Sequence, residues 1–307
     1  AGVISGTGAV TQVGAGTTSL TGANTYSGTT TISAGTLSIG AGGTAGTLGT
    51  GAVANSGTLA FNRSDATTVA NVISGTGAMT HVGTGTTTLT GANTYSGATT
   101  ISAGTLQVGA GGATGQLGSG AVTNNATLAF NRTGALTVAG AISGTGAVNQ
   151  IGTGTTSLTG AGTYSGTTTI SAGILSIGAG GATGALGSGA VTNDATLQIN
   201  RTGTVTVAND ISGSGVVTKI ATGTAILTGA NSFSGTTTIS AGTLQVGAGG
   251  TVGTLGTGNV VNNSALSFNR SDALTVDNVV SGTGTVTKLG TGTTTLSGTN
   301  TYSGITT

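Results

Sequence analysis

The sequence contains no cysteine, no proline, no tryptophan and no glutamate, and its only histidine is His81. Without cysteine there is neither a disulfide framework nor a thiolate metal site. Charged residues make up 4%, against roughly 25% in an ordinary soluble domain. A general acid/base pair, a base-activated nucleophile or a metal cluster needs side chains this chain barely owns. An enzyme is therefore not expected, nor any cofactor. The formal charge of +1 offers no basic patch to phosphates, which argues against nucleic acid as a partner. No stretch approaches the roughly 18 apolar residues of a membrane-spanning helix, and no signal peptide or anchor is visible.

What is present is glycine, 63 of 307 residues, in a chain that is 36% hydrophobic with mean hydropathy +0.32. Disordered segments combine low hydrophobicity with high net charge, so a folded chain is expected. One period governs it. Ile4-Ser5-Gly6-Thr7-Gly8 returns at Ile73, Ile142, Ile211 and, led by valine, Val280, each 69 residues after the last. The units are 4–72, 73–141, 142–210 and 211–279, with a partial unit 280–307. Their register is unbroken, and one continuous solenoid over 1–307 is expected. Because the chain begins and ends inside a repeat, it reads as a window of a longer array.

Within a unit the pattern is strand, turn, strand. Thr88-Leu89-Thr90, Thr105-Leu106-Gln107-Val108 and Thr127-Leu128-Ala129-Phe130 alternate apolar with polar or small residues, which puts Leu106 and Val108 on one face and Thr105 and Gln107 on the other. Glycine runs such as Gly109-Ala110-Gly111-Gly112 supply turns. The unit divides into three coils, Ala78 to Gly97, Ala98 to Gly120 and Ala121 to Gly146. Coils of this length suit an all-β fold, a parallel β-solenoid with about three rungs per 69-residue repeat. Four shorter rungs remain an alternative, since Leu20 and Leu37 lie 17 apart. Val10 and Val13, separated by two polar positions, indicate a bulge or corner. Collagen needs glycine at every third position with proline. Calcium-binding nonapeptide repeats need an aspartate in each glycine-rich turn, and propeller blades run at about 40–45 residues.

The run Gly85 to Gly97 followed by Ala98 to Gly109, with equivalents beginning at Gly16, Gly154, Gly223 and Gly292, closely resembles the autotransporter-associated β-strand repeat, also described as the passenger-associated transport repeat. Leu128 to Arg132 and Ile142 to Ala147 resemble its spacer. The resemblance implies a right-handed parallel β-helix, exported through an outer-membrane β-barrel translocator and displayed at the bacterial cell surface. It carries over no functional residues, because the repeat is generally scaffold.

Five columns stand out. The aromatics fall in two: Tyr26, Tyr95, Tyr164, Phe233 and Tyr302, and Phe61, Phe130, Phe268 with Ile199 completing the second. Equivalent rings recur only about every 14 Å, beyond ring contact at about 4.5–7 Å, so packing is preferred to a glycan-binding ladder. Arg63, Arg132, Arg201 and Arg270 form the third; a solvated turn arginine is preferred to an anion-binding stripe, because charges that far apart exceed a Debye length of about 8 Å. Asn62, Asn131, Asn200 and Asn269 each open an Asn-Arg-Ser/Thr sequon. The column Gln12, His81, Gln150, Lys219 and Lys288 interchanges polar types, as a solvent-facing position would.

Two functions follow: a stiff adhesin stalk, or a structural subunit of an extracellular filament or sheath built by stacking or bundling of solenoids. The expected partners are adjoining repeats or further copies end to end, host-cell or matrix receptors or glycans, and the translocator during export.

Overall fold

A computed structural model describes residues 2–307, which form short β-strands and no helix. They divide into two compact units, 2–154 and 155–307. In both, every strand pairing is parallel and the chain winds as a β-solenoid.

In the first unit each coil visits three sides. One sheet consists of Val10–Gln12, Thr30–Ile32, Val53–Asn55 and Ile73–Ser74. A second stacks Thr17–Leu20, Thr36–Ile39, Thr58–Phe61, Ala78–His81, Thr99–Ile101, Val122–Asn124 and Ile142–Ser143. A third stacks Thr67–Val69, Thr86–Leu89, Thr105–Val108, Thr127–Phe130 and Ala147–Gln150. The strands form where threonine and β-branched aliphatics alternate, because stiff branched side chains fit the pleat. Leu106 and Val108 point inward with no exposed surface, and Thr105 and Gln107 are half-buried on the outer face. Leu106 pairs with Leu128, and Leu128 with Val148, so like residues stack from coil to coil.

The coil length follows from the ladder. From Thr18 the partners run Leu37, Leu59, Met79, Thr99, Val122 and Ile142. Six coils therefore cover 124 residues, about 20.7 each. In the second unit Thr156, Leu175, Leu197, Val217, Thr237, Val260 and Val280 repeat the same span. A 69-residue repeat thus holds three and a third coils. The third coil of a unit closes at Ile142 rather than Gly146, and Leu20 pairs with Ile39, not Leu37. The extra third moves each successive repeat onto the next side: Val10–Gln12, Ala78–His81 and Ala147–Gln150 are sequence equivalents in three different sheets.

The corner after the second and third of these strands is a bulge. Val82 and Gly83 both donate their N–H to the Phe61 carbonyl, at 2.9 and 3.1 Å, as Ile151 and Gly152 do to Phe130. The doubled donation turns the aliphatic outward. Val82 and Ile151 are consequently exposed, and the equivalent Val13 is exposed as well.

Candidate functional site

Tyr26, Tyr95, Tyr164 and Phe233 have no exposed surface, and Tyr302 is half-buried. In the interior ring a phenol needs a partner. Tyr95 finds Thr99 Oγ1 at 2.8 Å, and Tyr26 and Tyr164 find Thr30 and Thr168 in the same way. Burial raises the Tyr95 and Tyr164 pKa above the ordinary phenol range, with the threonine hydrogen bond opposing it. Phe233 dispenses with the hydroxyl. Phe61, Phe130, Ile199 and Phe268 are also interior. Neither aromatic column offers a ring face to a sugar.

The arginines differ from the expected solvated turn. Arg63 is buried and Arg132, Arg201 and Arg270 half-buried. Each guanidinium lies over the glycine-rich loop that precedes it: Arg132 Nη1 donates to the Gly115 carbonyl at 2.7 Å, with equivalent bonds from Arg201 to Gly184 and Arg270 to Gly253. That loop is possible because Gly109, Gly111 and Gly115 take φ of 83, 83 and 102°, a region other residues avoid. Its carbonyls point outward, and the arginine supplies the donors they lack. Asp65 receives Arg63 Nε and Nη2 at 2.9 and 2.7 Å, and Asp272 receives Arg270 likewise. The arginine hydrogen bond holds both aspartates below the usual carboxylate range. Where Gly134 and Gly203 replace the aspartate, Arg132 and Arg201 Nε are buried without a partner. A Cβ at Gly134 would meet only ordinary contacts at 3.8 and 3.9 Å. Gly134→Asp is therefore expected to raise the melting temperature, with about 0.4–1 kcal/mol from reduced freedom of the unfolded chain alone. A rise no larger than that of Gly134→Ala by calorimetry would show that the carboxylate does not reach Nε.

The Gln12 column overturns its solvent-facing reading. Gln12, His81, Gln150 and Lys219 are buried, and only Lys288 is exposed. Each points into the corner that follows and donates to its carbonyls: Gln150 Nε2 to Gly152 at 2.7 Å and Gly154 at 3.3 Å, His81 Nε2 to Gly85 at 3.2 Å, Lys219 to Ala221 and Ala241. What glutamine, histidine and lysine share is an N–H on a stem long enough to reach there. Burial lowers the His81 pKa, opposed by the Gly85 carbonyl, and burial lowers that of Lys219. Because the folded state resists protonating His81, its stability is full above the unfolded pKa of about 6.5 and falls as pH drops through and below it. The melting temperature should decline between about pH 7 and 5, and His81→Gln should flatten that decline. A decline of equal size in the variant would assign it to other groups.

Sequence reasoning passed over the interior asparagines. Asn55, Asn124, Asn193 and Asn262 have no exposed surface. Asn124 Nδ2 donates to Ala147 in the next coil at 2.8 Å, and Asn55 to Ala78 at 2.8 Å. Asn93 is a two-way bridge, accepting from Ile73 N at 2.9 Å and donating to Gln116 O at 2.8 Å. Their 69-residue recurrence was the signal.

Where a side of the coil lacks a ladder, a shallow groove opens once per repeat. One of about 340 Å³ is lined by Asn24, Thr47, Leu48, Thr50, Val69 and Asn71; another of about 270 Å³ involves Asn93, Gln116, Leu117 and Ser119. These walls carry hydroxyls and amides. Among the described residues no three His, Cys, Asp or Glu side chains group where they could hold a metal ion, and no helix is long and apolar enough to cross a membrane.

Five segments, residues 10–39, 79–108, 148–177, 217–246 and 286–307, match the model of a family described as the passenger-associated-transport-repeat. The adhesin BmaC autotransporter of Brucella suis biovar 1 (strain 1330) is 51% identical over 51 residues, which are 17% of this chain and 2% of that protein. The match thus spans a small fraction of that relative's length. No solved structure matches the chain.

Proposed function

Because the chain belongs to the passenger-associated-transport-repeat family, a constituent of proteins carried through an outer-membrane translocator to the cell surface, we propose that it is a non-catalytic stalk segment of an adhesin. The observation that carries this reading is where the buried polar side chains spend their bonds. The Asn124 amide, the Arg132 guanidinium and the Gln150 amide each go to backbone carbonyls of neighbouring coils or corners. Such groups hold a scaffold together and leave little for chemistry. The relative's description as an adhesin supplies the context of attachment. Host receptors would then be met by other parts of the parent protein, and adjoining repeats would be the immediate neighbours of this segment.

Each repeat of three and a third coils adds about 16 Å of reach at a coil spacing of about 4.8 Å. Removing whole repeats from the parent protein on the cell surface should leave export intact and weaken attachment step by step. Undiminished attachment, with the purified chain forming fibres, would overturn the stalk and favour the filament or sheath.

A further inference from the structure

Asn62, Asn131, Asn200 and Asn269 occur in all four complete repeats, and the structure gives their side chains nothing to do. Their backbones are engaged: Asn131 N donates to Val108 O at 2.8 Å, and its carbonyl accepts from Gly111 N at 2.8 Å. Their side-chain amides make no hydrogen bond and are half-buried. The residue two positions on, Ser64, Thr133, Thr202 or Ser271, is exposed in every copy and its hydroxyl is also without a partner. Its N–H is fixed instead, donating to Gly43, Gly112, Gly181 or Gly250. So the asparagine and the hydroxyl residue recur together, flank a strapped arginine, and have side chains that contribute no hydrogen bond to the fold.

The surroundings leave room beside them. A Cβ at Gly43, Gly112, Gly181 or Gly250 would meet nothing within 4 Å, and one at Gly111 would meet only Asn131 Oδ1, at 3.8 Å. The loop next to each asparagine is thus a bare glycine platform. Two other sequons lack this setting. Asn262-Asn263-Ser264 has its asparagine fully buried and donating to Thr285. Asn125-Ala126-Thr127 has its Oδ1 engaged by Thr145 N.

We propose that Asn62, Asn131, Asn200 and Asn269 are acceptor sites for N-linked glycosylation, with the first sugar ring lying over the glycine platform. An Asn-x-Ser/Thr acceptor on a surface loop of an exported chain is what such a transfer requires. The donor is a glycosyl pyrophosphate. The amide nitrogen forms a bond to the sugar's anomeric carbon, the bond from that carbon to the pyrophosphate oxygen breaks, and the pyrophosphate leaves with the electron pair. The amide gives up one proton to a base of the transferase. The inference holds whether the array serves a stalk or a filament.

The test is peptide mass spectrometry of the parent protein recovered from the surface of its own cells. Peptides containing these four asparagines should carry added sugar, and the Asn262 peptide should not. Four unmodified asparagines in that material would overturn the proposal. A second arm uses Asn131→Gln and Thr133→Ala. Each should abolish the sugar at Asn131 alone and leave the melting temperature of the unglycosylated chain unchanged. A clear drop in that temperature for Asn131→Gln would give the asparagine a structural role and remove the premise.

Discussion

Leu128→Asp is expected to cost about 3–5 kcal/mol. Leu128 has no exposed surface and sits between Leu106 and Val148 in the inward stack. A carboxylate there finds no cationic partner: the nearest charged side chain in the same repeat, Arg132, is committed to Gly115 and Ala113. The buried group either stays charged without compensation or takes up a proton at a cost of similar size. Since solenoid coils depend on their neighbours, the loss should spread to adjacent coils and lower the midpoint of thermal or urea unfolding. Leu128→Ile, which keeps the volume, should cost under about 1.5 kcal/mol. A Leu128→Asp protein with the parent's midpoint would mean that Leu128 does not face inward.

Gly118→Ala is expected to be nearly as damaging for the opposite reason, excess rather than mismatch. A Cβ at Gly118 would lie 2.2 Å from the Tyr95 carbonyl oxygen and 2.5 and 2.6 Å from two atoms of its ring. Tyr95 cannot move away cheaply, being fully buried and tied through its hydroxyl to Thr99. Overpacking of this kind costs about 1–3 kcal/mol. Gly112→Ala, six residues earlier in a loop with open space, should stay within about 0.5 kcal/mol. The comparison is read from unfolding midpoints, with the near-UV signal of Tyr95 reporting on its ring. Equal midpoints for the two variants would show that the contact at Gly118 relaxes without penalty.

The alternation in Thr105-Leu106-Gln107-Val108 made the strand and its inward face legible, because the pleat allows only one assignment. The bulge or corner that the spacing of Val10 and Val13 indicated is present at the equivalent positions Val82 and Ile151. Coil length was less so. The 69-residue period reports when the sequence recurs, not when the chain comes full circle, and the two differ by a third of a coil; only the pairing of Val122 with Ile142 separates them. Polar type also misled. His81 and Lys219 read as surface residues because isolated charges and imidazoles prefer water, yet corner carbonyls turned inward make a donor necessary there. Arg132 read as a solvated turn because a sequence does not reveal that the loop 17 residues earlier folds beneath it.

The fractional coil has a genetic corollary. Recombination between these similar repeats gains or loses 69 residues at a time and keeps their register. Each such event nonetheless re-aims whatever follows by a third of a turn while altering its distance. Within the first unit Val13, Val82 and Ile151 already look out from three different sides. Repeat number therefore sets which side of the coil a column faces as well as its position along the stack.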